Sequence, residues 1–411
     1  MSDTVLSTST PSLGEAWRRI DLRVVAIALL VLVSGGAYLN AAFGWRQAAL
    51  FAVGGALGLV LYHAAFGFTS AWRVFIADRK GAGLRAQMLM LALGCVLFFP
   101  ALAAGSLFGQ PVSGFVSPVG VSVVVGAFLF GIGMQLGGGC ASGTLYTAGG
   151  GNTRMLVTLA GFIAGSVIAT AHMHWWLSLP AFQPVSVVAA FGVVPALLGN
   201  LALFAGIAGL TWWLERRRHG QALPIASAAG QLPLGQRLLR GPWPLIWGAV
   251  ALVLLNFATL ALAGRPWGVT SAFALWGAKA ASAMGVDVAS WPYWSGKDAL
   301  EASVWADVTT VMDVGIVLGA LAAAGLAGKF APVWRIPAKS LIAAVAGGLL
   351  LGYGARLAFG CNIGAYFSGI ISGSLHGWVW LVAAFAGNVV GTRLRPLFGL
   401  AVERTARRTG C

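Results

Sequence analysis

Residues 131–143 read Gly131-Ile-Gly-Met-Gln-Leu-Gly-Gly-Gly-Cys140-Ala-Ser-Gly143, and residues 352–364 read Gly352-Tyr-Gly-Ala-Arg-Leu-Ala-Phe-Gly-Cys361-Asn-Ile-Gly364. With Cys361 laid on Cys140 the two stretches superimpose without a gap, and each closes an apolar run in a Gly-Cys-x-x-Gly turn. One turn made twice inside apolar sequence is the pattern of a transporter built from internal repeats, with a cysteine of each copy near the middle of the membrane.

Two further matches keep the same order. Gly67-Phe-Thr69-Ser-Ala-Trp72 pairs with Gly268-Val-Thr270-Ser-Ala-Phe273, and Phe162-Ile-Ala-Gly165-Ser-Val-Ile-Ala-Thr170 pairs with Ala384-Phe-Ala-Gly387-Asn-Val-Val-Gly-Thr392. Each match is weak alone, but in common order they indicate duplication. The chain around them has 411 residues, 58% hydrophobic and only 9% charged, which is the composition of an integral membrane protein. Crossing a hydrocarbon core of about 30 Å takes roughly 20 helical residues. Windows of that kind lie near 24–42, 46–65, 86–105, 119–136, 154–173, 188–213, 245–264, 306–327, 340–358 and 376–397.

Five of these spans separate Gly67 from Gly268, an odd number, so the second copy is expected to enter from the opposite face as an inverted repeat. Four apolar segments, 69–78, 141–149, 270–284 and 362–374, are too short to cross. Non-helical backbone at membrane depth survives only where protein or a water-filled cavity covers it, so these segments are expected to dip in and return, two from each face. The expected fold is an all-α integral membrane protein of about ten spanning helices plus four re-entrant half-helices in two inverted repeats. Residues 1–44 would form the N-terminus and an extra first span, 45–173 repeat A, 174–213 a connecting span, 214–244 an exposed linker, 245–397 repeat B and 398–411 a tail.

The net charge of +15 does not indicate a nucleic-acid partner, because the basic residues gather at span ends, where they set orientation. An N-terminus held inside by Arg18, Arg19 and Arg23 places Arg79, Lys80, Arg85, Arg216, Arg217, Arg218, Lys329, Arg335, Lys339, Arg404, Arg407 and Arg408 in the cytoplasm. Loops 106–118 and 174–187, on the other side, contain no Lys or Arg. Both termini are then cytoplasmic. Arg18-Arg19 reads as the anchor of the first span rather than as a twin-arginine signal.

The turns suggest a chemistry. Gly137-Gly-Gly139 lets backbone approach a ligand closely before Cys140, and Ala141-Ser142-Gly-Thr144 opens a short helix whose first N–H groups point toward whatever lies beside the sulfur. Gly360, Cys361 and Asn362 repeat the arrangement. Two helix N-termini converging near the midplane favour a small anion, and thiols add soft, weak donors suited to sulfur. Thr69 and Thr270, with Ser70 and Ser271, offer hydroxyls from the other pair of half-helices. Arg356, which aligns with Gln135, is an intramembrane cation and a candidate contact, while Asp313 is a candidate proton-coupling group, about one and a half turns from Asp307. His172-Met-His174-Trp-Trp176 reads as an interfacial aromatic belt rather than a metal site. Cys95 reads as core packing, and Cys411 has no assigned role. No Walker loop, haem-attachment motif or nucleophile elbow is present, so neither an enzyme nor a cofactor is implied.

On Gly139-Cys140-Ala-Ser-Gly143, Gly360-Cys361-Asn-Ile-Gly364 and the Gly67 and Gly268 motifs, the chain resembles the YeeE/YedE family of sulfur-compound transporters over residues 45–397. The resemblance implies an hourglass-like body in the bacterial inner membrane. Thiosulfate would pass through its constricted centre by successive hydrogen bonds with thiols, without covalent change. Cys140 and Cys361 match the family's turn cysteines. Where members tend to carry another cysteine, this chain has Thr69. The competing expectations are a selenium-compound transporter of the same family and a membrane subunit that hands persulfide or sulfide to a cytoplasmic sulfur-handling protein. A channel for an unrelated small solute is a further one.

Overall fold

The computed structural model describes residues 20–222 and 233–403. Arg18, Arg19, Pro224, Arg404, Arg407, Arg408 and Cys411 lie outside the described residues. In chain order the helices are α1 (Leu22–Phe43), α2 (Trp45–Ala64), α3 (Phe68–Asp78), α4 (Ala82–Ala104), α5 (Val121–Gly137), α6 (Ala141–Gly149), α7 (Thr153–Ser178), α8 (Val187–Phe191) and α9 (Val193–His219). They continue with α10 (Leu234–Arg240), α11 (Leu245–Ala263), α12 (Thr270–Ala283), α13 (Val308–Ala327) and α14 (Ala338–Leu357). A π-helical run follows at Asn362–Ser368, then α15 (Gly369–Ile371) and α16 (Leu375–Leu394). Among the described residues, ten helices are long and apolar enough to cross a membrane, and sheet is confined to two-residue strands. The protein is an all-α, multi-pass membrane protein.

Local chemistry sets most of the boundaries. Asp21 and Asp307 accept the Val24 and Thr310 N–H groups and so start α1 and α13. The expected span 188–213 is instead broken at Gly192, whose φ of 83° separates α8 from α9. Its C-terminal end runs on to His219, past the expected start of the linker at 214. The Arg216 and Arg217 guanidinium groups sit over the Trp212 and Trp213 rings, and buried Glu215 pairs with Arg85 at 2.7 Å, so this basic turn has partners that hold it helical. The segment expected as a half-helix at 362–374 is π-helical over its first seven residues. Both Ala365 and Tyr366 donate to the Cys361 carbonyl, at 2.9 and 3.2 Å, and this widened turn stacks the buried Tyr366 ring on Trp380. Such π turns recur at functional sites.

The long helices cross at small residues, as expected where lipid supplies no hydrophobic force between them. The crossings come in reciprocal pairs. A Cβ on Gly131 of α5 would collide with the Ala384 carbonyl of α16, and one on Gly352 of α14 would collide with the Phe162 carbonyl of α7. Likewise Gly133 abuts the Gly347 carbonyl, and Gly354 abuts the Gly126 carbonyl. In the repeat alignment Gly131 matches Gly352 and Ala384 matches Phe162, so each contact is the mirror of its partner. Polar contacts follow the same rule. Gln135 donates to the Thr69 carbonyl and the aligned Arg356 donates to the Thr270 carbonyl, both at 3.2 Å.

Loops 105–120 and 264–307 lie on one face, joined by a bond from Ser113 N–H to the Gly264 carbonyl. Strand pairing brings Ala181–Phe182 to Val119–Gly120 on that face. The opposite face gathers the Arg85–Glu215 pair, the bond from Trp243 N–H to the His63 carbonyl and the contact between Arg154 and Ser340.

Candidate functional site

Cys140 and Cys361 stand as the N-terminal caps of α6 and of the π-helical run. The chain reaches each through a left-handed residue at aligned positions, Gly138 with φ 94° and Phe359 with φ 54°. The Gly143 N–H donates to Cys140 Sγ and the Ile363 N–H to Cys361 Sγ, each at 3.4 Å. A sulfur that accepts a backbone N–H keeps its S–H for another partner. Both cysteines are buried, 2% and 0% exposed, and α6 touches the π-helical run.

Of the other residues singled out in the sequence, Ser142 and Asn362 adjoin the two cysteines. Ser142 Oγ is 3.5 Å from Cys140 Sγ. Gly139 and Gly360 form the tight approach: a Cβ at Gly139 would stand 3.1 Å from Gly143 C, and one at Gly360 would stand 2.7 Å from Ala365 N. Asn362 is fully buried and, among the described residues, neither atom of its side-chain amide has a hydrogen-bond partner, nor does either carboxyl oxygen of the buried Asp313. Thr69 Oγ1 is likewise buried without a partner. Unpaired buried polar atoms are costly, so each of these groups calls for a bond from water, a proton or a ligand. Cys95 is buried in the core with its sulfur 4.0 Å from the Ile370 carbonyl. His172 and Trp176 meet at the Tyr353 hydroxyl.

Above Cys361 opens a vestibule of about 560 Å³, whose floor includes Gly360 and Gly364 and whose wall includes Thr270 and Ser271. Among the described residues three cations line it, Arg265, Lys297 and Arg356, and no acidic side chain does. Arg356 donates to the Tyr293 hydroxyl at 2.6 Å, and Lys297 Nζ lies 3.6 Å from the centre of the same ring. Burial by itself would raise the Tyr293 phenol, but Arg356 and Lys297 together outweigh it and bring the group below its ordinary value. Burial lowers Arg265, partly offset by Asp307. A cavity with positive walls concentrates anions at its floor.

Sequence reasoning missed Arg265, Tyr293 and Lys297. Arg265 carried a signal, since it stands three residues before the Gly268 motif; Lys297 lies in a long polar loop and carried none. On the opposite face Arg154 donates to the Gly137 and Leu136 carbonyls at 2.6 and 2.7 Å, bracing the end of α5 just before Cys140.

Residues 63–390 match the model of the family described as sulphur transport. The chain belongs to the sulphur transport family. Members of this family are transporters and not enzymes. Among curated proteins, the chain is 29% identical over 347 residues to the thiosulfate transporter TsuA of Spirochaeta thermophila, covering 82% of this chain and 95% of the relative. It is 24% identical over 352 residues to TsuA of Escherichia coli, covering 81% and 90%. A probable transporter of E. coli, YedE, is 33% identical over 165 residues, covering 39% and 40%.

Proposed function

We propose that this protein is an inner-membrane permease for thiosulfate, or a small sulfur anion of like chemistry, passed between the Cys361 and Cys140 thiols by hydrogen bonding. The observation that carries the reading is the pair of buried thiols at helix N-termini, with Cys361 flanked by the floor of a cavity whose charged lining residues are cations. Arg265, Lys297 and Arg356 gather the anion, Thr270 and the helix N-termini receive its oxygens, and the S–H groups meet its soft terminal sulfur. Asn362 amide, Ser142 and Thr69 hydroxyls supply hard donors along the way. Asp313, buried without a partner, is the group on which a co-transported proton would ride.

The reading includes two inverted repeats, 45–173 and 245–397, with re-entrant α3, α6, α12 and 362–371. The reciprocal glycine crossings support that symmetry, since a two-fold relation makes each contact occur twice. With the basic face inward, the vestibule opens to the periplasm and both termini lie in the cytoplasm. The test is growth of a host lacking its own sulfur uptake, with thiosulfate as sole sulfur source. The wild type should restore growth, and Cys140→Ala and Cys361→Ala should each abolish it. Growth that survives both substitutions would sink the role of the thiols.

A further inference from the structure

The face opposite the vestibule holds arginines of its own, and there a carboxylate covers one of them. Arg73, one turn beyond Thr69 on α3, is 9% exposed and grips Glu403 with two bonds, Nε to Oε2 at 2.7 Å and Nη2 to Oε1 at 2.6 Å. Arg395, 8% exposed, bonds the Gln135 carbonyl through Nη1 at 2.6 Å and the Ala401 carbonyl through Nε at 2.9 Å, and its charge acts on Glu403 as well. Gln135 in turn bonds the Thr69 carbonyl, so the two arginines lie immediately beyond the Thr69–Gln135 contact, the counterpart of the Thr270–Arg356 contact in the vestibule. Thr69 Oγ1 and Gln135 Oε1, both on buried side chains, have no hydrogen-bond partner among the described residues. The Glu403 side chain is 53% exposed, so water reaches it from the far side.

Two oxygens in the fork of a buried guanidinium form the same contact that a sulfur oxyanion presents to arginine. We infer that Arg73 and Arg395, with the unpartnered Thr69 hydroxyl, form a second anion site on the basic face, which takes a small sulfur oxyanion and which Glu403 occupies in this conformation. The site rests on the permease reading for its place in a path: an anion leaving Cys140 displaces Glu403 from Arg73 and departs as the tail returns. The carboxylate is thus a tethered competitor of the cargo.

The test has two readouts. In purified full-length protein, sodium thiosulfate and sodium sulfate should raise the melting temperature above a sodium chloride control at equal ionic strength. The rise should be larger in Glu403→Gln than in the wild type, because the site is vacant, and should vanish in Arg73→Gln/Glu403→Gln. In proteoliposomes, Glu403→Gln should take up thiosulfate about fivefold faster, the population gained when a half-exposed ion pair is removed. The inference is overturned if the anion-dependent rise in Glu403→Gln is no larger than in the wild type, or persists without Arg73. It is also overturned if Glu403→Gln and Arg73→Gln slow uptake equally, as a simple brace would. Wild-type liposomes that accumulate no thiosulfate refute the permease reading, and the melting readout still decides the anion site.

Discussion

Gly360 offers the sharpest test of how the turn holds Cys361. Its φ of 150° is disfavoured for a side chain, and a Cβ there would stand 2.7 Å from Ala365 N, in the first turn of the π-helical run. A non-glycine residue held in such a backbone region costs about 1–3 kcal/mol, and overpacking against a neighbour that cannot swing away costs about 1–3 kcal/mol more. Gly360→Ala should therefore destabilise by about 2–6 kcal/mol, or push the turn outward and displace the thiol. Gly364, one turn on, is different: nothing lies within 4 Å of its added Cβ, and that open space is the vestibule floor. Gly364→Ala should melt like the wild type yet transport more slowly. Thermal unfolding in detergent and uptake of labelled thiosulfate into proteoliposomes separate the two outcomes. A Gly360→Ala protein that melts and transports like the wild type, or a Gly364→Ala protein that loses as much stability as Gly360→Ala was expected to, refutes this account of the turn.

Three further outcomes follow from charges. Tyr293 sits below its ordinary phenol value because Arg356 and Lys297 outweigh burial, so its ionisation stabilises the fold as pH rises toward about 10; Arg356→Gln should raise the tyrosinate absorbance midpoint and remove that alkaline gain, and an unchanged midpoint would break the link. Glu403 is held down to about 2 from 4.5, first by its hydrogen bonds to Arg73, so the stability from this pair is present above pH 4.5 and is lost as pH falls toward 2; acid melting curves of Glu403→Gln should lack this component, and curves parallel to the wild type would argue against the pairing. Asp313→Asn should leave the fold intact, since the asparagine fills the same buried space, while abolishing any stimulation of uptake by an inward proton gradient; stimulation that persists in the variant assigns coupling elsewhere.

The ten spans were legible because membrane crossing is a property of one continuous segment, read from length and apolarity alone. The short helical elements after Cys140 and Cys361 were legible for a related reason: glycines and other small residues just before each cysteine mark a break in the helix within a few positions. Their detailed form was not. Nothing in Asn362-Ile-Gly-Ala-Tyr366 announces a π turn, because the widening goes with Tyr366 stacking on Trp380, a residue of another helix. The break at Gly192 was hidden by apolar residues on both sides, since composition reports the environment of a helix and not its continuity.

The candidate site divides the same way. Cys140 and Cys361 could be named from sequence because duplication put the same local turn in both halves. The vestibule could not, because Arg265, Lys297 and Arg356 come from three separate segments and share a cavity only once α11, α12 and α14 have packed. Arg73 and Glu403 lie 330 positions apart and carry no common pattern. Sequence by itself determined the membrane class, the ten helices long and apolar enough to cross and the two thiol turns, all set by hydrophobic length and backbone geometry over short stretches. The tertiary structure alone decided which charges face the thiols from one side and which are covered by a carboxylate on the other, because electrostatic neighbours are chosen by helix packing and not by their distance along the chain.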